Sequence, residues 1–168
     1  MSKTKRLVLI ILVMLVCAGC DQSTKYLASN SLEFNVISSF AGDIFRLHYV
    51  ENKGAFLGIG GGLGEQERFV IFTLLVAFFI GSILVYTVVG KDLNTSSIVA
   101  YSLIAGGGLS NLYDRIANNG AVVDFLNIGI GGLRTGIFNL ADVFIMLGFF
   151  MLLSHLLFPK KMAYGDLN

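Results

Sequence analysis

A chain of 168 residues that is 55% hydrophobic and 14% charged, with a mean hydropathy of +0.76, carries too much apolar surface for a water-soluble monomer. Its formal net charge of +1 and the lack of any Lys/Arg run interleaved with aromatics exclude the signature of a nucleic-acid partner. The two cysteines, Cys17 and Cys20, lie in one apolar stretch and build neither a disulfide framework nor a cysteine-rich zinc site.

Uncharged runs divide the chain, and a spanning helix needs about 20 apolar residues. Residues 7–20 form the first run, which reaches that length only if the helix continues through Asp21 to about Tyr26, placing Asp21 and Lys25 at a membrane face. Residues 27–68 then mix Ile44, Leu47, Tyr49 and Val50 with Arg46 and His48, a pattern for strands on the membrane surface. A glycine cluster at 58–64 reads as a loop. The second and third runs, 69–90 and 93–113, qualify as spans outright and are separated by a short turn at Lys91.

Within the third run, Ser102, Gly106 and Ser110 fall on one helix face beside Gly107 and Gly108, as close helix packing requires. Residues 114–137 read as a second external segment, with Ala121, Val122, Val123 and Phe125 around Asp124, Asn127 in a loop, and a turn at Gly129, Gly131 and Gly132. The last run, 143–159, is extended backwards by 135–141 across Asp142. The expected fold is therefore a membrane all-α core of four transmembrane helices, with a small β-rich segment lying on the outer membrane face. Residues 1–168 form one polytopic domain.

Lys3, Lys5 and Arg6 before the first run, Lys91, and Lys160 with Lys161 after the last put both termini in the cytoplasm. The opposite side carries Lys25, Arg46, Lys53, Arg68, Arg115 and Arg134, so a bare count is a tie. Orientation rests on the N-terminal cluster and the Lys91 turn.

Several motifs point elsewhere. A basic start, an apolar core and Cys17-Ala18-Gly19-Cys20 look like a lipoprotein export signal, but Cys17 replaces the usual aliphatic and three more spans follow. Neither glycine cluster fits a nucleotide-binding fingerprint. On this topology His48 and His155 lie on opposite sides of the membrane, so no metal site is expected, and a nucleophile would have only His48 as its base.

What remains are carboxylates near the outer ends of spans: Asp21, Asp114, Asp124 and Asp142. An ionisable group at membrane depth is a functional-site hypothesis by default. Asp21 and Lys25 have the spacing of an intrahelical pair, and Asp114 has Arg115 beside it, which gives both a structural reading. Asp124 and Asp142 have no such neighbour and sit in apolar company, where two carboxylates brought together would share one proton. Asn139, three residues before Asp142, reads either as a site amide or as a helix N-cap.

At these residues the chain resembles the lipoprotein signal peptidase family, also called signal peptidase II. The resemblance runs through Asp21-Gln22-Ser23-Thr24-Lys25, Asn52-Lys53-Gly54-Ala55-Phe56, and Gly107-Gly108-Leu109-Ser110-Asn111-Leu112-Tyr113-Asp114-Arg115. It continues through Val122-Val123-Asp124-Phe125 and Phe138-Asn139-Leu140-Ala141-Asp142. Ser110, where the family often has Gly, and Leu57, where a small residue is common, depart from its pattern.

The resemblance implies Asp124 and Asp142 as the catalytic pair, with Asn52, Asn111, Arg115 and Asn139 lining the substrate pocket. Gly54, Asp114, Asp21 and Lys25 support the site, Arg115 orders the external loop through Asp114, and neither metal nor cofactor takes part. It further implies a monomer in the bacterial cytoplasmic (inner) membrane, in contact with membrane lipid. Its site lies near the outer face and cuts a diacylglyceryl-modified prolipoprotein just before the lipidated cysteine. A small proton-coupled transporter or a lipid-anchored binding protein are the readings from other classes.

Overall fold

The structure is a computed structural model and describes residues 1–54, 60 and 62–158. Ala55, Phe56, Leu57 and the basic residues Lys160 and Lys161 lie outside the described residues, as do residues 58, 59 and 61 of the glycine cluster.

The chain begins with α1 (Lys3–Ser31), whose first turn is capped by the Ser2 hydroxyl accepting from the Lys5 amide. It runs unbroken through Cys20 and past Tyr26, five residues beyond the expected end. The reason is local: Asp21 and Lys25, four apart, neutralise one another at 2.7 Å with both side chains buried, so the helix meets no solvated charge that would end the span. The two turn inward against the other helices.

Strands β1 (Ile37–Phe40) and β2 (Phe45–Asn52) follow. A continuous helical stretch then comprises α2 (Glu65–Arg68), a π-helical segment (Phe69–Leu75) and α3 (Val76–Val89). Next come α4 (Thr95–Ala117), β3 (Val122–Ile130), β4 (Leu133–Arg134) and α5 (Leu140–Leu157).

Among the described residues three helical segments are long and apolar enough to cross a membrane: Lys3–Ser31, Glu65–Val89 and Leu140–Leu157. Helix α4 is not one of them, although the sequence reading counts it as a span. It is the central helix, with eleven buried positions that include Ser102, Ser110, Asn111 and Asp114. A helix clothed by other helices needs no hydrocarbon-facing surface, and its polar residues are spent on interior contacts.

Glycines set how closely α4 is approached. A Cβ on Gly107 would come within 2.5 Å of the Ala141 carbonyl oxygen on α5, and one on Gly148 within 2.5 Å of the Ala100 carbonyl oxygen on α4. Gly106 does the same towards α1, at 3.0 Å from Cys17 Cβ. The small-residue face read from the sequence is thus a packing face.

The four strands form one antiparallel sheet in the order β1-β2-β3-β4. Directly paired residues share a face, so the register Phe40 to Phe45, Phe45 to Ile128 and Ile130 to Leu133 collects an apolar face. Its members are exposed, Ile130 by 77% and Leu133 by 86%. Ser39, Arg46 and Asn127 line the other face. Asn127, expected in a loop, is a buried residue of β3 that donates to the Thr135 carbonyl at 2.6 Å and accepts from Arg134 Nε at 2.6 Å. It therefore belongs to the sheet's internal bracing.

Gly107→Ala and Gly148→Ala should each lower the stability of the detergent-solubilised protein by about 1–3 kcal/mol through overpacking. Gly81→Ala has nothing within 4 Å of the new methyl and should be neutral or stabilising by up to about 1 kcal/mol. Thermal melting of the three variants checks both signs.

Candidate active site

Antiparallel pairing of β2 with β3 places Asn52 opposite Val122 and Val50 opposite Asp124. Asn52 thereby reaches the carboxylate: its Nδ2 donates to Asp124 Oδ2 at 2.9 Å, while its Oδ1 accepts the Gly54 amide at 2.9 Å. The second oxygen, Asp124 Oδ1, accepts from Asn139 Nδ2 at 2.7 Å. Burial pushes the Asp124 carboxyl up to about 7; the Asn52 hydrogen bond opposes the rise and the neighbouring Asp142 adds to it.

Asn139 is the N-cap of α5 and is fully buried. Its Oδ1 accepts the Asp142 amide at 3.0 Å, and its own amide donates to Asp142 Oδ2 at 3.2 Å, a capping box. The same side chain donates to Asp124 and, at 3.0 Å, to Asn111 Oδ1. The two readings of Asn139 are therefore not alternatives. One amide caps the helix that carries Asp142 and holds the strand that carries Asp124.

Asn111 on α4 completes the ring, donating from Nδ2 to Asp142 Oδ1 at 2.9 Å. Its Oδ1 accepts from Lys25 Nζ at 2.8 Å. That ammonium is buried between two carboxylates, Asp21 at 2.7 Å and Asp114 at 2.8 Å. Asp21 in turn accepts the Ala141 amide in the first turn of α5 at 2.8 Å and the Ser110 hydroxyl at 2.7 Å. Asp114 accepts from Gln22 Nε2 at 2.7 Å and from the Val123 amide at 3.1 Å.

Two expectations change here. Asp114 pairs with Lys25 and not with the adjacent Arg115, because neighbours on a helix point about 100° apart. Arg115 accordingly does not act through Asp114: its Nη2 donates to the Gly54 carbonyl at 3.1 Å and its Nη1 to the Asn111 carbonyl at 3.3 Å. The structure thus brings together Asp21, Lys25, Asn52, Gly54, Asn111, Asp114, Arg115, Asp124, Asn139 and Asp142. Sequence reasoning gave no site role to Gln22 or Ser110, although both stand inside the quoted motifs. His48 bonds Asn35 at 3.0 Å and His155 approaches Ser97 at 3.5 Å, both apart from this cluster.

A sequence profile described as signal peptidase (SPase) II matches residues 12–158. The chain belongs to the signal peptidase II family. It is a peptidase of the aspartic type, in a family whose role is to cleave lipoprotein signal peptides. Its relatives include the lipoprotein signal peptidase of Francisella tularensis subsp. novicida, 34% identical over 155 residues that cover 90% of this chain and 92% of that protein. The lipoprotein signal peptidase of Borrelia hermsii is 29% identical over 161 residues, 93% of this chain and 94% of its own. A solved bacterial membrane enzyme superposes with a TM-score of 0.77 at 25% identity, covering 92% of this chain and 93% of that one. A second does so with a TM-score of 0.75 at 26% identity, covering 91% and 94%. The chain is accordingly a membrane-embedded enzyme whose apolar helices support a small antiparallel sheet.

Asn139→Ala should lower stability by about 0.5–2 kcal/mol, the cost of a lost cap, and also depress turnover. Asn139→Ser keeps a capping oxygen but loses the Nδ2 amide that reaches Asp124 and Asn111, so it should recover part of the melting temperature without recovering turnover. Melting curves and single-substrate kinetics on the two variants separate the two contributions.

Proposed function

We propose that Asp124 and Asp142 are the catalytic pair of a prolipoprotein-processing endopeptidase that cuts the signal peptide immediately before the diacylglyceryl-modified cysteine. The observation that carries this reading is Asn139, whose single side chain bonds both the Asp124 carboxylate and the helix turn holding Asp142. Two carboxylates tied to one amide hold one proton between them more readily than two charges.

Asp124 carries the proton and Asp142 the charge. Asp142 lies in the first turn of α5, where the helix N-terminus receives an anion. The ionised Asp142 takes a proton from water as the oxygen attacks the scissile carbonyl carbon; Asp124 donates its proton to the carbonyl oxygen. Collapse of the tetrahedral species breaks the C–N bond: the proton held on Asp142 passes to the leaving amine, and a hydroxyl of the gem-diol returns its proton to Asp124 as the carboxyl product forms, which restores the pair. Asn52, Asn111 and Asn139 orient the pair without adding charge. Arg115 anchors Gly54, and Asp21, Lys25 and Asp114 brace the helices behind.

In the membrane this reading makes α4 a fourth span, enclosed by the other three, in a single-domain monomer of the bacterial inner membrane with cytoplasmic termini. The sheet then rests on the outer face with its exposed Phe40, Phe45, Ile128, Ile130 and Leu133 towards the acyl region. The diacylglyceryl group of the substrate stays among membrane lipid while its peptide reaches the pair.

Asp124→Asn and Asp142→Asn should each abolish cleavage of a lipidated prolipoprotein peptide at normal membrane levels, since Asn keeps the volume but cannot carry the shared proton. In the wild type, turnover should fall as pH rises through about 7, where Asp124 loses its proton. Near-normal turnover in either variant removes that residue from the pair.

Cysteine labelling, in a background with Cys17 and Cys20 replaced, should reach a probe at Lys91 from the cytoplasm and one at Gly62 from outside. The reverse pattern overturns the orientation.

A further inference from the structure

Helix α3 and its π-helical entry add a contact that the catalytic reading does not use. A π-helical turn takes in more residues than an α-turn and often marks a functional site. Here the segment Phe69–Leu75 buries two consecutive side chains, Phe72 and Thr73. Consecutive residues of a helix diverge by about 100°, so burying both takes a broad contact face. Thr73, Ile80 and Thr87 recur at seven-residue intervals and form one buried line. Phe72 is buried beside that line.

Its ring lies beneath the guanidinium of Arg115, with Cζ 6.0 Å from the ring centroid. On another side the ring is confined by Gly60, where a Cβ would stand 2.6 Å from Phe72 Cζ. Arg115 is partly buried, and its Nε is buried without a hydrogen-bond partner among the described residues. A poorly solvated cation is where an aromatic face contributes most.

From Arg115 the contacts run directly to the catalytic carboxyl. Nη2 holds the Gly54 carbonyl at 3.1 Å, the Gly54 amide holds Asn52 Oδ1 at 2.9 Å, and Asn52 Nδ2 holds Asp124 Oδ2 at 2.9 Å. The Gly54 amide fixes which end of the Asn52 side chain is its oxygen, and so turns the donor end towards Asp124. We propose that Phe72 is a positioning residue for Asp124, acting through Arg115, Gly54 and Asn52. The inference rests on the reading of Asp124 as catalytic.

The test replaces Phe72 by mono-, di- and trifluorinated phenylalanines, which weaken the ring quadrupole at nearly constant size, and adds Phe72→Leu. Turnover and KM are measured on a synthetic diacylglyceryl prolipoprotein peptide, with melting alongside. Ile80→Ala, a buried site on the same helix stretch, is the stability control, and Asp124→Asn is the activity control.

The expected result is a stepwise fall in kcat with fluorination, reaching about three- to tenfold, equivalent to roughly 0.6–1.4 kcal/mol, with KM unchanged and melting lowered less than in Ile80→Ala. Phe72→Leu follows the same fall, whereas Ile80→Ala lowers melting and leaves the folded fraction at full turnover. A flat kcat across the fluorinated series, with Asp124→Asn inactive, overturns the role of Phe72 and leaves the catalytic pair standing. An active Asp124→Asn enzyme overturns both, since the relay then ends on a residue that does no chemistry.

Discussion

The interaction on which the architecture depends is the buried ammonium of Lys25, held between the carboxylates of Asp21 and Asp114. Removing one partner of a buried ion pair strands a charge away from water and costs about 3–5 kcal/mol. Here two carboxylates meet one ammonium, and the surplus negative charge is met by N–H and O–H donors. They are the amides of Ala141 and Val123, the Ser110 hydroxyl and the Gln22 amide. Each donor comes from a different stretch of chain. Satisfying the charges therefore fixes α1 and α4 against the start of β3 and the first turn of α5, the two places from which Asp124 and Asp142 project.

The chemistry inherits that arrangement. Lys25 also donates to Asn111, so the charged cluster passes its geometry to the proposed catalytic pair through a neutral amide. Three asparagine side chains hydrogen-bond Asp124 or Asp142: Asn52, Asn111 and Asn139. Amides can orient a carboxylate in either protonation state, whereas a lysine in direct contact would favour ionising both members. On the proposed reading, keeping the ammonium one amide away supports the helices and leaves the pair its single proton.

Much of this was legible before any coordinates. The i,i+4 spacing of Asp21 and Lys25 announces an intrahelical pair, and carboxylates in apolar company at Asp124 and Asp142 raise the hypothesis on which the proposed pair rests. What stayed hidden was non-local. The partner of Asp114 lies 89 positions before it on α1, so adjacency to Arg115 misled. Asn127 looked like a loop residue because the pairing of β2 with β3 joins segments far apart in sequence. Asn139 presented two readings because local pattern sees a cap and composition sees a site amide, while only the folded chain lets one side chain serve both. The serine, asparagine and aspartate of α4 interrupt its apolar run because they face protein, and for that reason its hydropathy understates its place at the centre. Phe72 had no sequence signal, since its contact with Arg115 joins positions 43 residues apart.

The claim at the centre of this account is that the pair holds one proton, on Asp124, at neutral pH. Infrared difference spectroscopy of the solubilised enzyme, titrated from acid to alkaline pH and compared with Asp124→Asn, tests it directly. The account predicts a protonated-carboxyl band that persists above the ordinary carboxylate range, disappears as pH passes about 7 and is missing from Asp124→Asn. A band that is lost near pH 4, or one that survives unchanged in Asp124→Asn, would contradict it.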